Sequence, residues 1–216
     1  MEIRDRLAAA CWLAATVLFL TANVVVGLAW GRGRFSWAEH NVSDLGNVSC
    51  GMWDPDRPRQ VCSPWHPAMN ASFVAVGVLL ALGALVAHRT LRPGRAVHVI
   101  VASTVAAGVG YVLAGAYPAD VDENGHVLGA ALVFVLGNGA VLVAALAGRS
   151  SLLRGLRGAS AFLGLLGLVA TALFLCRVDV GIGVGGMERV ALFPLFGWVT
   201  LVGLRLLRHR RARSLS

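Results

Sequence analysis

Apolar runs of about twenty residues recur along the whole chain, each ended by arginine, glycine or a short polar stretch. A helix needs roughly 20 such residues to cross a hydrocarbon core. The pattern predicts membrane-spanning helices over residues 7–30, 67–87, 96–117, 126–147, 158–176 and 190–207. The first run is too long for a signal-peptide core and lacks a persuasive cleavage site, so it is read as the first helix. The long polar interruption is the loop 31–66, and its richest stretch reads WAEHNVSDLGNVSCGMWDPDRPRQVCSPWHPAMN from Trp37 to Asn70. The expected fold is an all-α integral membrane bundle of six helices, built as three hairpins in one domain over residues 1–216. Six crossings put both termini on one side.

Composition agrees with the pattern. Of 216 residues, 57% are hydrophobic and 14% charged, with a mean hydropathy of +0.71, against about a quarter charged in soluble domains. The formal charge of +8 and pI near 10.9 would suggest a nucleic-acid partner if position were ignored, but position excludes it. All 19 basic residues are arginines, and most of them flank apolar runs. With the termini in the cytoplasm, thirteen arginines between Arg4 and Arg213 fall inside, Arg149 among them. Arg32, Arg34, Arg57, Arg59, Arg177 and Arg189 fall outside. Nine of the 11 acidic residues also fall outside. The positive-inside rule therefore predicts a multi-pass cell-membrane protein with cytoplasmic termini. The tail LRLLRHRRARS adds an attraction to anionic membrane lipid; other protein partners are not identified by the sequence.

Candidate chemistry gathers at the outer joins. Cys50 and Cys62 lie in an oxidising location and are expected to form a disulfide. A zinc site made by these cysteines with His40 and His66 is the alternative, and its spacing fits no standard module. Cys11 and Cys176 read as packing residues. Asn41, Asn47 and Asn70 head N-x-S sequons. The joins share a pattern: Asp44 then His66, Asp120 and Asp122 then His126, Asp179 then Glu188 and Arg189. His66 and Asn70, four apart, share one helix face. Asp44, His66, Asp120 and His126 are the candidate catalytic acid–base groups; Asp44, Asp120 and His126 also suit a divalent metal. The plainer reading makes the carboxylates turn caps and the histidines loop anchors. In RVDVGIGVGGMERV, the glycines and Arg177 and Arg189 suit an anion, while a flexible connector is the simpler role. No P-loop, G-x-S-x-G or H-E-x-x-H signature is present. Asn23 and Asn138, deep in apolar runs, are expected to face other helices.

Taken together, SDLG at Ser43 to Gly46, WHPAMN opening the second helix, YPAD at Tyr117 to Asp120 followed by His126, and the late GGMERV resemble a bacterial membrane family known as domain of unknown function 998. The resemblance spans nearly the whole chain. It implies a six-helix bundle with polar motifs clustered on one side and carries no established activity. It points to Asp44, Asn70, Asp120, His126, Glu188 and Arg189, with Asn70, Glu188 and Arg189 as substrate-binding residues. The cysteine-bearing insert between Gly46 and His66 is longer than the family pattern leads one to expect. Two functions follow: a membrane-embedded enzyme acting on a lipid or other hydrophobic substrate at the outer leaflet, or a non-catalytic transporter, sensor or assembly partner whose polar cluster is structural.

Overall fold

The structure, a computed structural model, describes residues 2–31, 33–92, 94–148, 150–178 and 180–211. Arg32, Arg149, Asp179 and Arg213, which entered the charge pattern, lie outside them. The helices are α1 (Glu2–Leu28), α2 (His66–Ala87), α3 (Arg95–Ala116), α4 (Glu123–Ala144), α5 (Arg157–Leu175) and α6 (Val184–Arg211). A single helical turn, Ser151–Arg154, precedes α5. All six numbered helices are long and apolar enough to cross a membrane, and the chain is a multi-pass helical membrane protein.

Three helix starts lie three or more residues before the sequence pattern: α1, which begins at Glu2 and not at residue 7, and α4 and α6, each for a local reason. α4 begins at Glu123 because the Asp122 side chain accepts from the Gly125 N–H at 3.0 Å, satisfying a donor that a helix start leaves unpaired. α6 begins at Val184, so Gly185 and Gly186 of the glycine-rich segment lie in its first turn, while Gly181 and Gly183 stay in the join that leads to it. Gly183, at φ +71°, makes the left-handed turn into that helix. A Cβ at Gly185 would overlap the His40 carbonyl, so the chain from Ala38 to His40 lies directly on the helix backbone.

Helix contact is close where glycines face each other. α2 meets α3 at Gly77 and Gly108, and α3 meets α4 at Gly110 and Gly129; at each a Cβ would run into the opposite glycine's carbonyl oxygen. Small residues permit this approach in membranes, where dispersion contacts replace the hydrophobic drive between helices. At the centre, the Phe19 ring stacks on Phe196 at 4.2 Å and meets the edge of Tyr111 at 5.8 Å, tying α1 to α3 and α6. Asn138 bridges helices as expected: its Nδ2 donates to Phe134 O in its own helix and to Ala191 O of α6, both at 2.9 Å. Asn23 donates instead within α1, to Phe19 O at 3.3 Å. Residues Leu132–Gly137 wind as a π-helical segment inside α4, a local widening frequent at functional sites.

The segment joining α1 to α2 folds back as a cap. It contains a 3-10 turn, Ser43–Gly46, and a hairpin of β1 (Gly51–Trp53) and β2 (Arg59–Val61), with Met52 opposite Gln60. A disulfide joins Cys50 to Cys62 at the open end of the hairpin. In the entropic account, a ring of that size stabilises the folded cap by about 3 kcal/mol.

Candidate functional site

The cap is clamped by ion pairs and hydrogen bonds to the ends of the helices. Asp44, 1% exposed in the 3-10 turn, accepts two parallel bonds from Arg59, Nε to Oδ2 and Nη2 to Oδ1, each 2.7 Å. Its Oδ2 also accepts from the Asn41 N–H at 2.8 Å. Arg59 lies on β2, and its Nη1 reaches Asp54 at 3.4 Å. Burial alone would lower the pKa of this guanidinium, but the hydrogen bonds and negative charges of Asp44 and Asp54 outweigh it and raise the pKa. At Asp54, desolvation works upward, and Arg57, the Asp56 N–H, Arg59 and Arg177 together hold its pKa below the usual value.

Glu188 and Arg189 open α6 from beneath the cap. The Glu188 carboxylate accepts from the Val42 N–H. Arg189 Nη1 donates to three carbonyls, Trp37 at 3.0 Å and His40 and Gly185 at 2.8 Å. Its guanidinium also lies over the Phe35 and Trp37 rings, 5.5 and 5.1 Å from their centroids. Successive helical residues project about 100° apart, which is why these neighbours serve different parts of the loop. No ion pair joins them among the described residues. His40 accepts from Ser36 N–H at Nδ1 and donates from Nε2 to Gln60 O, both at 3.0 Å, linking the loop to β2.

The other sequence candidates divide. Asp120 accepts from the Val48 and Ser49 N–H groups at 3.1 and 2.7 Å, fixing the cap to the α3–α4 join. Asn70 donates to Gly46 O at 2.9 Å. His66 opens α2 half-buried, its backbone N–H on Ser63 O at 3.1 Å. His126 donates from Nδ1 to Tyr117 O at 3.0 Å, closing the turn before α4. No three histidine, cysteine, aspartate or glutamate side chains among the described residues group to hold a metal ion. The donor set Asp44, Asp120 and His126 is thus dispersed onto backbone groups and Arg59, and Cys50 and Cys62 bind each other. The sequon residues Asn41 and Asn47 are buried, out of reach of glycosylation in the folded chain.

Three contributors escaped the sequence reading. Arg59 looked like one more loop arginine. Ser63 donates to Leu45 O at 2.7 Å. Tyr111, in the apolar run of α3, is 2% exposed and its hydroxyl has no hydrogen-bond partner among the described residues. A phenol deep in a membrane helix was the available signal. With Ser43, His126 and Glu188, Tyr111 lines a cavity of about 30 Å³ under the cap, walled by Phe73, Val133, Phe134 and Leu192.

These features meet in a protein whose class is clear: a six-helix membrane bundle with a polar cap folded over one end. The sequence model of the family described as "Protein of unknown function (DUF998)" matches residues 13–205, and the chain belongs to that family. No curated protein and no solved structure matches the chain.

Proposed function

We propose that this is a non-catalytic membrane protein, a sensor or assembly partner, whose polar cluster is structural and holds a disulfide-stapled cap over the outer face of three helical hairpins. One observation carries the reading. Asp44, Asp120 and Glu188 each engage backbone N–H groups of the cap between Asn41 and Ser49. A general acid needs a carboxylate open to substrate and a metal ligand one open to the ion, whereas these three are anchored on the protein's own loop, and of them only Glu188 also borders a cavity. The distribution of arginine supports cytoplasmic termini and an outward cap. A transport role is disfavoured because the deep polar groups Asn23 and Asn138 are bonded to helix carbonyls.

Trypsin added to right-side-out vesicles tests both parts. It should leave the wild-type cap whole and cut a Glu188→Ala variant after Arg59, seen after reduction of the disulfide. Losing the acceptor of a buried N–H costs about 1–3 kcal/mol, enough to raise the open population several-fold or more. Cleavage confined to inside-out vesicles would overturn the orientation, and equal cleavage of both proteins would overturn the structural role.

A further inference from the structure

The cavity under the cap has a composition that the clamp does not explain. At its polar end is Glu188, 5% exposed, whose carboxylate accepts one backbone N–H and has no ion-pair partner among the described residues. Arg189, the nearest cation in sequence, is turned onto loop carbonyls. Beside Glu188 stand Tyr111, with its unpartnered hydroxyl, Ser43 and His126. A buried carboxylate with no cation in contact, Arg189 and Arg59 acting on it only at longer range, is costly in a membrane protein and marks a place where a further cation is favourable.

The walls and the helix geometry say what kind of cation. Phe73, Val133, Phe134 and Leu192 are apolar, and the faces of aromatic rings attract cations. The first half of α4 packs mainly on α3, and its contact with α6 is made from the π-helical segment onward. Ala130 of α4, half-buried, lines the cavity at that level beside Glu188 and Leu192 of α6. The volume of about 30 Å³ exceeds the roughly 10–15 Å³ that one water needs, room for a small polar head such as an ammonium group.

From this geometry we infer that the cavity is a binding site for the primary ammonium group of an amphiphile, with Glu188 as counter-ion, Tyr111 accepting an N–H, and the apolar tail lying between α4 and α6. This goes beyond the structural role of the cap and does not depend on it. The same chemistry is offered by a free long-chain amine and by an ethanolamine lipid headgroup.

Native mass spectrometry of the detergent-purified protein, with decylammonium beside decyltrimethylammonium, reads the site directly. The two probes share charge and tail, but the second has no N–H and a bulkier head. A one-to-one adduct at least ten-fold more abundant with decylammonium is expected. Glu188→Gln, which keeps an acceptor for the Val42 N–H, and Ala130→Phe, which fills the cavity from the α4 side, should each abolish that preference. Retention of phosphatidylethanolamine over phosphatidylcholine would assign the ammonium to lipid; preference for decylammonium without it would assign it to a free amine. Equal adducts from the two probes in wild type would overturn the inference, as would an unchanged preference in a folded Glu188→Gln protein.

Discussion

Replacing Arg59 by methionine removes the partner of a carboxylate that is 1% exposed. Asp44 would keep the Asn41 N–H at 2.8 Å and lose both 2.7 Å bonds from the guanidinium. Breaking a buried pair in this way costs about 3–5 kcal/mol, because the charge left behind has no compensation. Some rehydration of Asp44 as the cap loosens puts the expected loss near the lower figure, about 3 kcal/mol. Asp44→Leu should be similarly harmful, since Arg59 would retain only two long contacts, Asp54 at 3.4 Å and the Arg57 carbonyl at 3.5 Å. The double variant is the decisive member. An apolar pair of similar volume is often as stable as the ion pair it replaces, so Asp44→Leu with Arg59→Met should recover most of the loss, giving a coupling energy of about 2 kcal/mol or more. Unfolding midpoints in detergent, with the disulfide intact, measure all four corners of the cycle. Strictly additive losses, or single variants within ~0.5 kcal/mol of wild type as at ordinary surface sites, would refute the reasoning.

Three further outcomes are expected. Gly185→Ala should destabilise the protein by about 1–3 kcal/mol, because the new methyl meets the His40 carbonyl and overpacking displaces backbone; a thermal midpoint equal to wild type would count against the close seating of the loop on α6. Asp54, with a folded pKa below its unfolded one, contributes stability above the unfolded value of about 4, which is lost as pH falls through the folded pKa; Trp53 fluorescence should report cap loosening there, and Asp54→Asn should remove that pH step. Reducing the Cys50–Cys62 bond should weaken the cap by about 3 kcal/mol while leaving the helices intact, checked by unchanged helical circular dichroism alongside faster tryptic cleavage after Arg59.

The six helices could be read from apolar runs because a membrane span carries its signal within itself, in about twenty consecutive residues. The cap's wiring could not, because its partners are separated by chain length and not by any period. Asp44 and Arg59 are 15 positions apart, Val42 and Glu188 146. The carboxylates stood out as candidate chemistry, and their actual partners, backbone N–H groups, leave no mark in a sequence. The GVGG segment reads as flexible by composition; its helical conformation from Val184 onward follows from the loop backbone lying against it, a tertiary constraint. Asn138 was legible, since an amide buried in a long apolar run needs hydrogen-bond partners, though the same signal at Asn23 is met inside α1. Tyr111 was not, because one phenol among aromatic core residues looks like packing.

Whether the cap is clamped by these carboxylates is read by hydrogen exchange of residues 41–49 in a lipid nanodisc, with wild type beside Asp120→Ala and Glu188→Ala. The account predicts protected amides in wild type, faster exchange at Val48 and Ser49 in the first variant, and faster exchange at Val42 in the second, by roughly ten-fold or more for about 1.4 kcal/mol lost. Wild-type amides exchanging as an unfolded peptide does, or variants indistinguishable from wild type at those three positions, would contradict it.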